Sequence, residues 1–337
     1  MAKPRVAIGS LGGTITMTSD NAQAGVTPTL GAGDLLASAP GLGDVATLEA
    51  ATLALLPSAS LGYEDVFGAL AWARKAVDGG VRGVVLVQGT DTLEETAYLL
   101  DLFWDRPEPL VLTAAMRSPQ RPGSDGPANL LASVSTAAHS DSRDLGVLAV
   151  MNDEVHAASR VSKSDSMAVE AFRSPVFGVL ARLVEGRPVY GNRPPRRPPL
   201  PRLPVDSEAD DPRVALLTSH LADSGDLIGL VTDAGYDGIV LAALGAGHVS
   251  TGVAEAVSYA TGRAAVILAT RTGAGPTAEH TYAFVGSEAD LISRGAVPAG
   301  WLSPVKARLL LWALLRLGCD PSELKAEFVR RGAHPWG

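Results

Sequence analysis

The chain reads as an α/β protein: a larger N-terminal domain on a mostly parallel sheet, a proline-rich linker, and a smaller C-terminal α/β domain. Three observations predict this. Short runs of Val, Ile and Leu without polar alternation recur along the chain, as expected for strands covered on both faces. Helical patterns separate these runs, which is the strand–helix alternation of a parallel sheet. The alternation then stops once, at a stretch centred on RPPRRPPLPRLP, before resuming. A chain of 337 residues exceeds one ordinary core, so two domains are expected.

The elements follow in order. Arg5–Ile8 is a predicted strand, and GSLGGTIT follows it. Tyr63–Ala76 has a helical pattern, Gly83–Val87 is a strand that runs into QGTDT, and Glu94–Phe103 is the next helix. Pro109–Thr113 is a strand ending in AAMR, Ala128–Ala138 a helix, and Leu145–Val150 a strand ending in MNDE. So much proline in Gly186–Pro212 excludes a helix interior or a central strand, leaving an extended, semi-rigid linker with solvated arginines. Beyond it, strands are expected at Arg213–Leu217, Gly238–Leu244 and Ala264–Ala269. Helices are expected at Ala222–Ala234, Val253–Thr261, Pro304–Leu317 and Ser322–Arg331. The domains are then residues 1–185 and 213–337, joined by the linker 186–212.

Composition narrows the function classes. The net charge is −8 and no basic run tracks phosphates, which argues against a nucleic-acid partner. Cys319 is the only cysteine, so neither an intrachain disulfide nor a cysteine metal cluster is expected. The first strand follows the N-terminus at once and is soon broken by glycine, unlike a signal peptide. No uninterrupted apolar stretch reaches membrane-spanning length. The expectation is a soluble cytoplasmic protein.

The polar clusters occupy equivalent places. GSLGGTIT, QGTDT, AAMR and MNDE all lie just past the carboxyl ends of predicted strands, the edge where open α/β sheets bind ligands. GSLGGTIT is neither a dinucleotide fingerprint nor a P-loop, and taken alone it is equally a tight turn with Thr14 as decoration. In QGTDTLEE, Asp91 with Glu94 or Thr92 with Glu95 has capping-box spacing. Capping, however, needs only one of the three residues Thr90, Asp91 and Thr92. Lys163, in a polar stretch after the fourth strand, becomes chemically interesting if buried beside hydroxyls, where desolvation would let it accept a proton near neutral pH. The six histidines show no ligand spacing, so no metal site is expected. With no G-x-S-x-G elbow, any nucleophile is a threonine, and its hydroxyl needs an activating base.

These blocks resemble a known family. LGGTIT is similar to the first threonine signature of bacterial-type L-asparaginases, and QGTDTLEETAYLL to their second. AAMRSPQRPGSDGPANL, VMNDEVHAASRVSKSDS, DAGYDGIVLAALGAGHV and LSPVKARLLL resemble further family blocks in the same order, over nearly the whole chain. The resemblance implies hydrolysis of L-asparagine to L-aspartate and ammonia, without a cofactor. It makes Thr14 the nucleophile, forming an acyl-enzyme. Thr90, on the other side of the amide, would be linked to Lys163 as proton acceptor. Asp91 would hold the substrate α-ammonium and Ser58 its α-carboxylate, with the Thr90 backbone and the Ala115 carbonyl facing the scissile amide. Glu279 matches an acidic residue that the family supplies from a neighbouring subunit, which implies a homodimer or homotetramer with shared sites.

Four positions depart from the pattern. No tyrosine occurs between Thr14 and Tyr63, where the family's loop carries one that helps activate the nucleophile. A relaying water, Thr16 or Thr27 would have to serve instead. Ala59 stands where a glutamine often follows the Ser58 position, His248 where an asparagine is common, and Gln88 where the second signature has histidine. The changes at 59 and 248 predict a preference for asparagine over glutamine. A broader asparaginase/glutaminase is the nearer alternative. The asparaginase-like subunit of a tRNA-dependent amidotransferase carries an extra domain ahead of its threonine signature, which here begins at residue 9. A non-catalytic amino-acid sensor on the same fold would keep Asp91 and Ser58, but would not need Thr14, Thr90 and Lys163 together.

Overall fold

The computed structural model describes residues 2–18, 27–28, 31–203 and 211–334. It separates into two compact units, Met1–Pro199 and Leu200–Gly337.

The first unit is built on one mixed sheet. Its strands are β1 (Arg5–Ser10), β4 (Thr47–Thr52), β5 (Gly83–Val87), β6 (Leu110–Thr113), β7 (Val147–Met151), β8 (Glu154–Ala157), β11 (Ala181–Val184) and β12 (Arg187–Tyr190). Short antiparallel pairs join β2 (Met17–Thr18) to β3 (Thr27–Pro28), and β9 (Ser162–Lys163) to β10 (Phe172–Arg173). The sheet order is β12-β11-β8-β7-β6-β5-β1-β4. Strands β4, β1, β5, β6 and β7 run parallel, and β8, β11 and β12 continue the sheet antiparallel.

The central strands are apolar because both faces are covered. Side chains alternate between faces along a strand. Val6 and Ile8 of β1, Val85 and Val87 of β5 and Leu148 and Val150 of β7 lie in one core cluster. That cluster also takes Leu35 of α1 (Ala32–Ser38), Leu42 of α2 (Leu42–Val45), and Leu130 and Val134 of α5 (Gly126–Ala138). Gly9 faces the other way, toward Trp72 of α3 (Tyr63–Asp78). Beside α3 packs α4 (Leu93–Phe103), with eight of its eleven residues buried. A helix buried on so many sides is apolar nearly all round.

The structure departs from the sequence expectations at the sheet edges. Arg187–Tyr190, expected to be linker, forms β12, an edge strand where Pro188 has no ladder bond to break on its free side. The opposite edge strand β4, TLEAAT, is largely solvated, with no residue fully buried, and carries no continuous apolar run to announce it.

The second unit has a four-stranded parallel sheet of β13 (Val214–Thr218), β14 (Gly238–Ala243), β15 (Ala265–Thr270) and β16 (Val297–Pro298), in that order. Ile239, Leu241 and Leu268 share a core with α6 (Asp226–Asp233), α7 (Thr251–Thr261) and Leu291 of α8 (Glu288–Ser293). On the other face, Leu311 of α9 (Pro304–Arg316) lies against Gly238. The last helix, α10 (Pro321–Gly332), opens with a full capping box between Asp320 and Glu323. Among the described residues no helix is long and apolar enough to cross a membrane.

Candidate active site

The five parallel strands of the first unit stand in the spatial order second, first, third, fourth, fifth by sequence. The order reverses between β1 and β5. The carboxyl edge at such a reversal is where sheets of this kind bind ligands. The segments leaving β1 and β5 here are GSLGGTIT and QGTDT.

Glycines bring these segments into direct backbone contact. Leu11 N–H donates to the Val87 carbonyl at 2.8 Å, and Leu56 N–H to the Leu11 carbonyl at 3.0 Å. A Cβ on Gly13, whose φ is +94°, would lie 2.1 Å from the Gly89 nitrogen; one on Gly12 would lie 2.6 Å from the Leu56 carbonyl oxygen. A Cβ on Gly89 would lie 2.6 Å from Ser58 Oγ. No side chain fits at any of the three: the loop bearing Thr14 packs main chain on main chain against those of Ser58 and Thr90, and the Gly89 main chain packs against the Ser58 side chain. Thr14 then opens a short 3-10 turn, Thr14–Thr16. The next residue, Ile15, is buried in the sheet core against Gly126 and near Ala115. Burying that side chain contributes roughly 1.5–3 kcal/mol and anchors the turn from below.

The polar residues of QGTDT are not used as caps. Thr92 holds the N-cap position of α4, yet its hydroxyl donates to the Ser58 carbonyl at 2.9 Å and makes no capping bond. Ser58 is buried, and its Oγ accepts from Asp91 N–H at 3.1 Å, leaving its own proton to donate. Lys163 Nζ donates to Thr90 Oγ1 and to Asp91 Oδ1, each at 2.9 Å. The Lys163 side chain is 16% exposed and that of Asp91 64%, so the pair runs from the protein interior out to solvent. Glu94, the second half of the expected Asp91 capping box, instead accepts Lys163 N–H on Oε1 at 3.2 Å.

Ala115 lies just past β6, fully buried. Its loop is held by two residues that sequence reasoning passed over. Asp125 accepts Met116 N–H at 2.9 Å and Arg117 N–H at 2.8 Å. Asn129, one turn on, donates to the Ala114 carbonyl at 3.0 Å and to Asp125 at 3.1 Å, and accepts Asn152 N–H at 2.9 Å. The only signal for them is two polar residues four apart at the head of an apolar helix, DGPAN, where polar side chains are otherwise caps or surface.

The remaining candidates separate. Ala59 is exposed on the 3-10 turn beside Ser58. Gln88 is fully buried and donates to the Gly89 carbonyl at 3.2 Å. Thr16 is fully buried with its hydroxyl on the Gly13 carbonyl at 2.8 Å, which makes it a brace of the turn rather than an activating group. The Thr27 side chain lies outside the described residues. Glu279 belongs to the second unit, where its carboxylate is 55% exposed and 4.0 Å from His280.

The acidic group built into that region is Glu288. It is fully buried, with Oε1 accepting Thr281 and Tyr282 N–H at 2.8 Å and Oε2 3.2 Å from His248 Nε2. Burial pushes its carboxyl up, but the N–H groups of Tyr282, Glu288 itself and Thr281, with His248, outweigh this and hold it below the usual glutamate range. His248 also packs edge-on against Tyr282 and Phe284, with ring centres 4.6 and 5.1 Å away.

The first-unit arrangement thus sets the turn that bears the half-buried Thr14 against the loop of Thr90, whose hydroxyl is paired with Lys163, with the Asp91 carboxylate and the Ser58 hydroxyl on the same loops. Comparison with known proteins supplies the family. Residues 5–196 match the model of the asparaginase N-terminal domain, and residues 213–328 that of the glutaminase/asparaginase C-terminal domain. The chain is 33% identical to L-asparaginase 2 of Escherichia coli (strain K12), covering 97% of this chain and 93% of that one. It is 35% identical to a probable L-asparaginase of Deinococcus radiodurans, covering 97% and 98%. A crystal structure of a probable cytoplasmic L-asparaginase from Campylobacter jejuni superposes with a TM-score of 0.87 at 30% identity, covering 97% of this chain and 99% of that one. Matches over both domains and nearly the full length place the chain in the asparaginase/glutaminase family.

Proposed function

We propose that the protein is an L-asparaginase that hydrolyses L-asparagine to L-aspartate and ammonia through an acyl-enzyme on Thr14, with no cofactor. The observation that carries this reading is the continuous link Ser58–Asp91–Lys163–Thr90, packed through Gly13 and Gly89 against the turn that bears Thr14. Asp91 takes the substrate α-ammonium and the Ser58 hydroxyl its α-carboxylate, which turns the side-chain amide toward the two threonines. Thr14 Oγ attacks the amide carbon and the C–N bond breaks. The proton leaving Thr14 reaches the departing ammonia, with Thr90 and Lys163 moving it. The Thr90 N–H and the Ala115 loop face the amide, where a donor aimed at the developing oxyanion is worth about 3–4 kcal/mol. Water then attacks the ester, returns the proton to Thr14 and releases aspartate.

Head-group recognition is completed by an acidic side chain from a second subunit, in a homodimer or homotetramer with shared sites. Glu279, with its carboxylate half exposed, is the candidate; Glu288 is fully buried with both oxygens engaged and instead holds the main chain of Thr281 and Tyr282 and the His248 ring. We place the protein in the cytoplasm, as its sequence leads one to expect; the Campylobacter jejuni relative is a probable cytoplasmic enzyme.

Ammonia release from purified protein and L-asparagine tests the reading. Thr14→Ala is expected to lose kcat on the order of a thousandfold or more, with aspartate binding still measurable by calorimetry. A Thr14→Ala protein with near-normal kcat sinks it.

A further inference from the structure

Lys163 is carried by a very short tether. β9 is two residues long and pairs only with β10, with Lys163 opposite Phe172. The next ladder bond runs from Ser164 N–H to the Ala171 carbonyl at 2.8 Å. In an antiparallel pair the bonded positions alternate, so the Lys163 N–H points away from β10. A main-chain donor left there without a partner would be costly. It is taken by Glu94 Oε1 at 3.2 Å.

Glu94 sits in the first turn of α4, directly after the segment whose Thr90 and Asp91 hold the lysine ammonium. One helix start therefore grips Lys163 twice, at the side-chain tip and at the main chain. The other carboxylate oxygen of Glu94 is buried with no hydrogen-bond partner among the described residues. A glutamate at this position of a helix is ordinarily solvated or caps the backbone. Here the residue is half-buried with one oxygen enclosed and unsatisfied, an arrangement that calls for an explanation other than helix stability.

We propose that Glu94 is a positioning residue for Lys163, fixing its backbone so that Nζ reaches Thr90 Oγ1. The role rests on Lys163 serving proton transfer as proposed above. Glu94 would not touch substrate, and its carboxylate would act through geometry rather than charge.

Steady-state ammonia release and thermal melts on a variant set test this. Glu94→Ala should lose about ten- to a hundredfold in kcat, the size of effect expected when a reacting group moves by about 1 Å. KM should change by less than about threefold, because Asp91 and Ser58 keep their own main-chain positions and lose only the Lys163 contact at Asp91. Glu94→Gln keeps an acceptor oxygen at the same reach and should retain most of kcat. Glu94→Asp keeps the charge but withdraws the acceptor, and should fall toward the alanine variant; it carries the test if the alanine variant does not fold. In a Lys163→Met background, Glu94→Ala should cost nothing further. Unchanged kcat in both Glu94→Ala and Glu94→Asp overturns the positioning role, as does Glu94→Gln impaired as deeply as Glu94→Ala, or an additive loss in the double variant. Near-normal kcat in Lys163→Met overturns the threonine–lysine reading itself, a result separable from these.

Discussion

Gly13→Ala puts the proposed architecture under its sharpest strain. The added Cβ would lie 2.1 Å from the Gly89 nitrogen and 2.4 Å from the Gln88 carbonyl carbon. Ordinary contact begins near 3.4 Å, so one of the two loops must yield by about 1.3 Å. The neighbours are main chain, and Gln88 N–H is itself tied to the Thr113 carbonyl at 3.1 Å, so the yielding falls on the turn that carries Thr14. The φ of +94° adds a conformational cost for any residue with a Cβ, of order 1–3 kcal/mol. A displacement of about 1 Å at a reacting group costs on the order of a hundredfold in rate. Gly13→Ala is therefore expected to lose about a hundredfold in kcat for L-asparagine and to melt several degrees lower. Gly68→Ala is the matched control: Gly68 lies inside α3, a Cβ there meets nothing within 4 Å, and no positive φ opposes it. That variant should keep full activity and gain about 0.5–1 kcal/mol. Gly13→Ala with the activity and melting temperature of Gly68→Ala would show that the two loops are not locked together as described.

Four further outcomes follow from the same geometry. Thr90→Ala and Lys163→Met should each lose roughly 10²–10⁴-fold in kcat, and the double variant little more, because the two groups form one link; additive losses in ΔΔG‡ would separate them. Wild type should prefer asparagine to glutamine in kcat/KM, and Ala59→Gln, beside Ser58, should raise relative glutamine use by up to about tenfold; a fall in relative glutamine use contradicts the specificity argument. Thr14→Ala mixed and reassembled with an inactive Glu279→Ala protein should recover part of the activity, as expected if Glu279 is the shared carboxylate. A fully active monomer by light scattering refutes site sharing. Glu288 is held below its ordinary value of 4.5, so its contribution to stability is present above that value and is lost as pH falls through the lower folded-state value. The melting-temperature gap between wild type and Glu288→Gln should accordingly narrow on acidification, and a gap that widens would reverse the sign of this argument.

How legible the molecule was depends on whether an element's neighbours are of one kind or many. The strands of the sheet centre were readable because burial on both faces leaves only apolar side chains: Gly83–Val87 is fully buried and matches its expected bounds. Thr14, Thr90, Asp91, Ser58, Ala115 and Lys163, the residues of the proposed site, were nameable from the resemblance of ordered signatures, and the fold places Thr90, Asp91, Ser58 and Lys163 in one hydrogen-bonded group. What each hydroxyl and carboxylate does with its hydrogen bonds was not nameable. QGTDTLEE is equally a capping box until the fold brings Ser58 and Lys163, from 33 and 72 residues away, to take those groups. The edge strands β4 and β12 were obscured for the opposite reason: a strand with one free edge tolerates Glu49 or Pro188 and so carries no uniform pattern. Asp125, Asn129, Glu94 and the His248–Glu288 pair were decided by tertiary structure alone. Their partners are main-chain N–H and C=O groups or a distant side chain, and a backbone amide looks the same in every residue of a sequence until folding sets one beside a carboxylate.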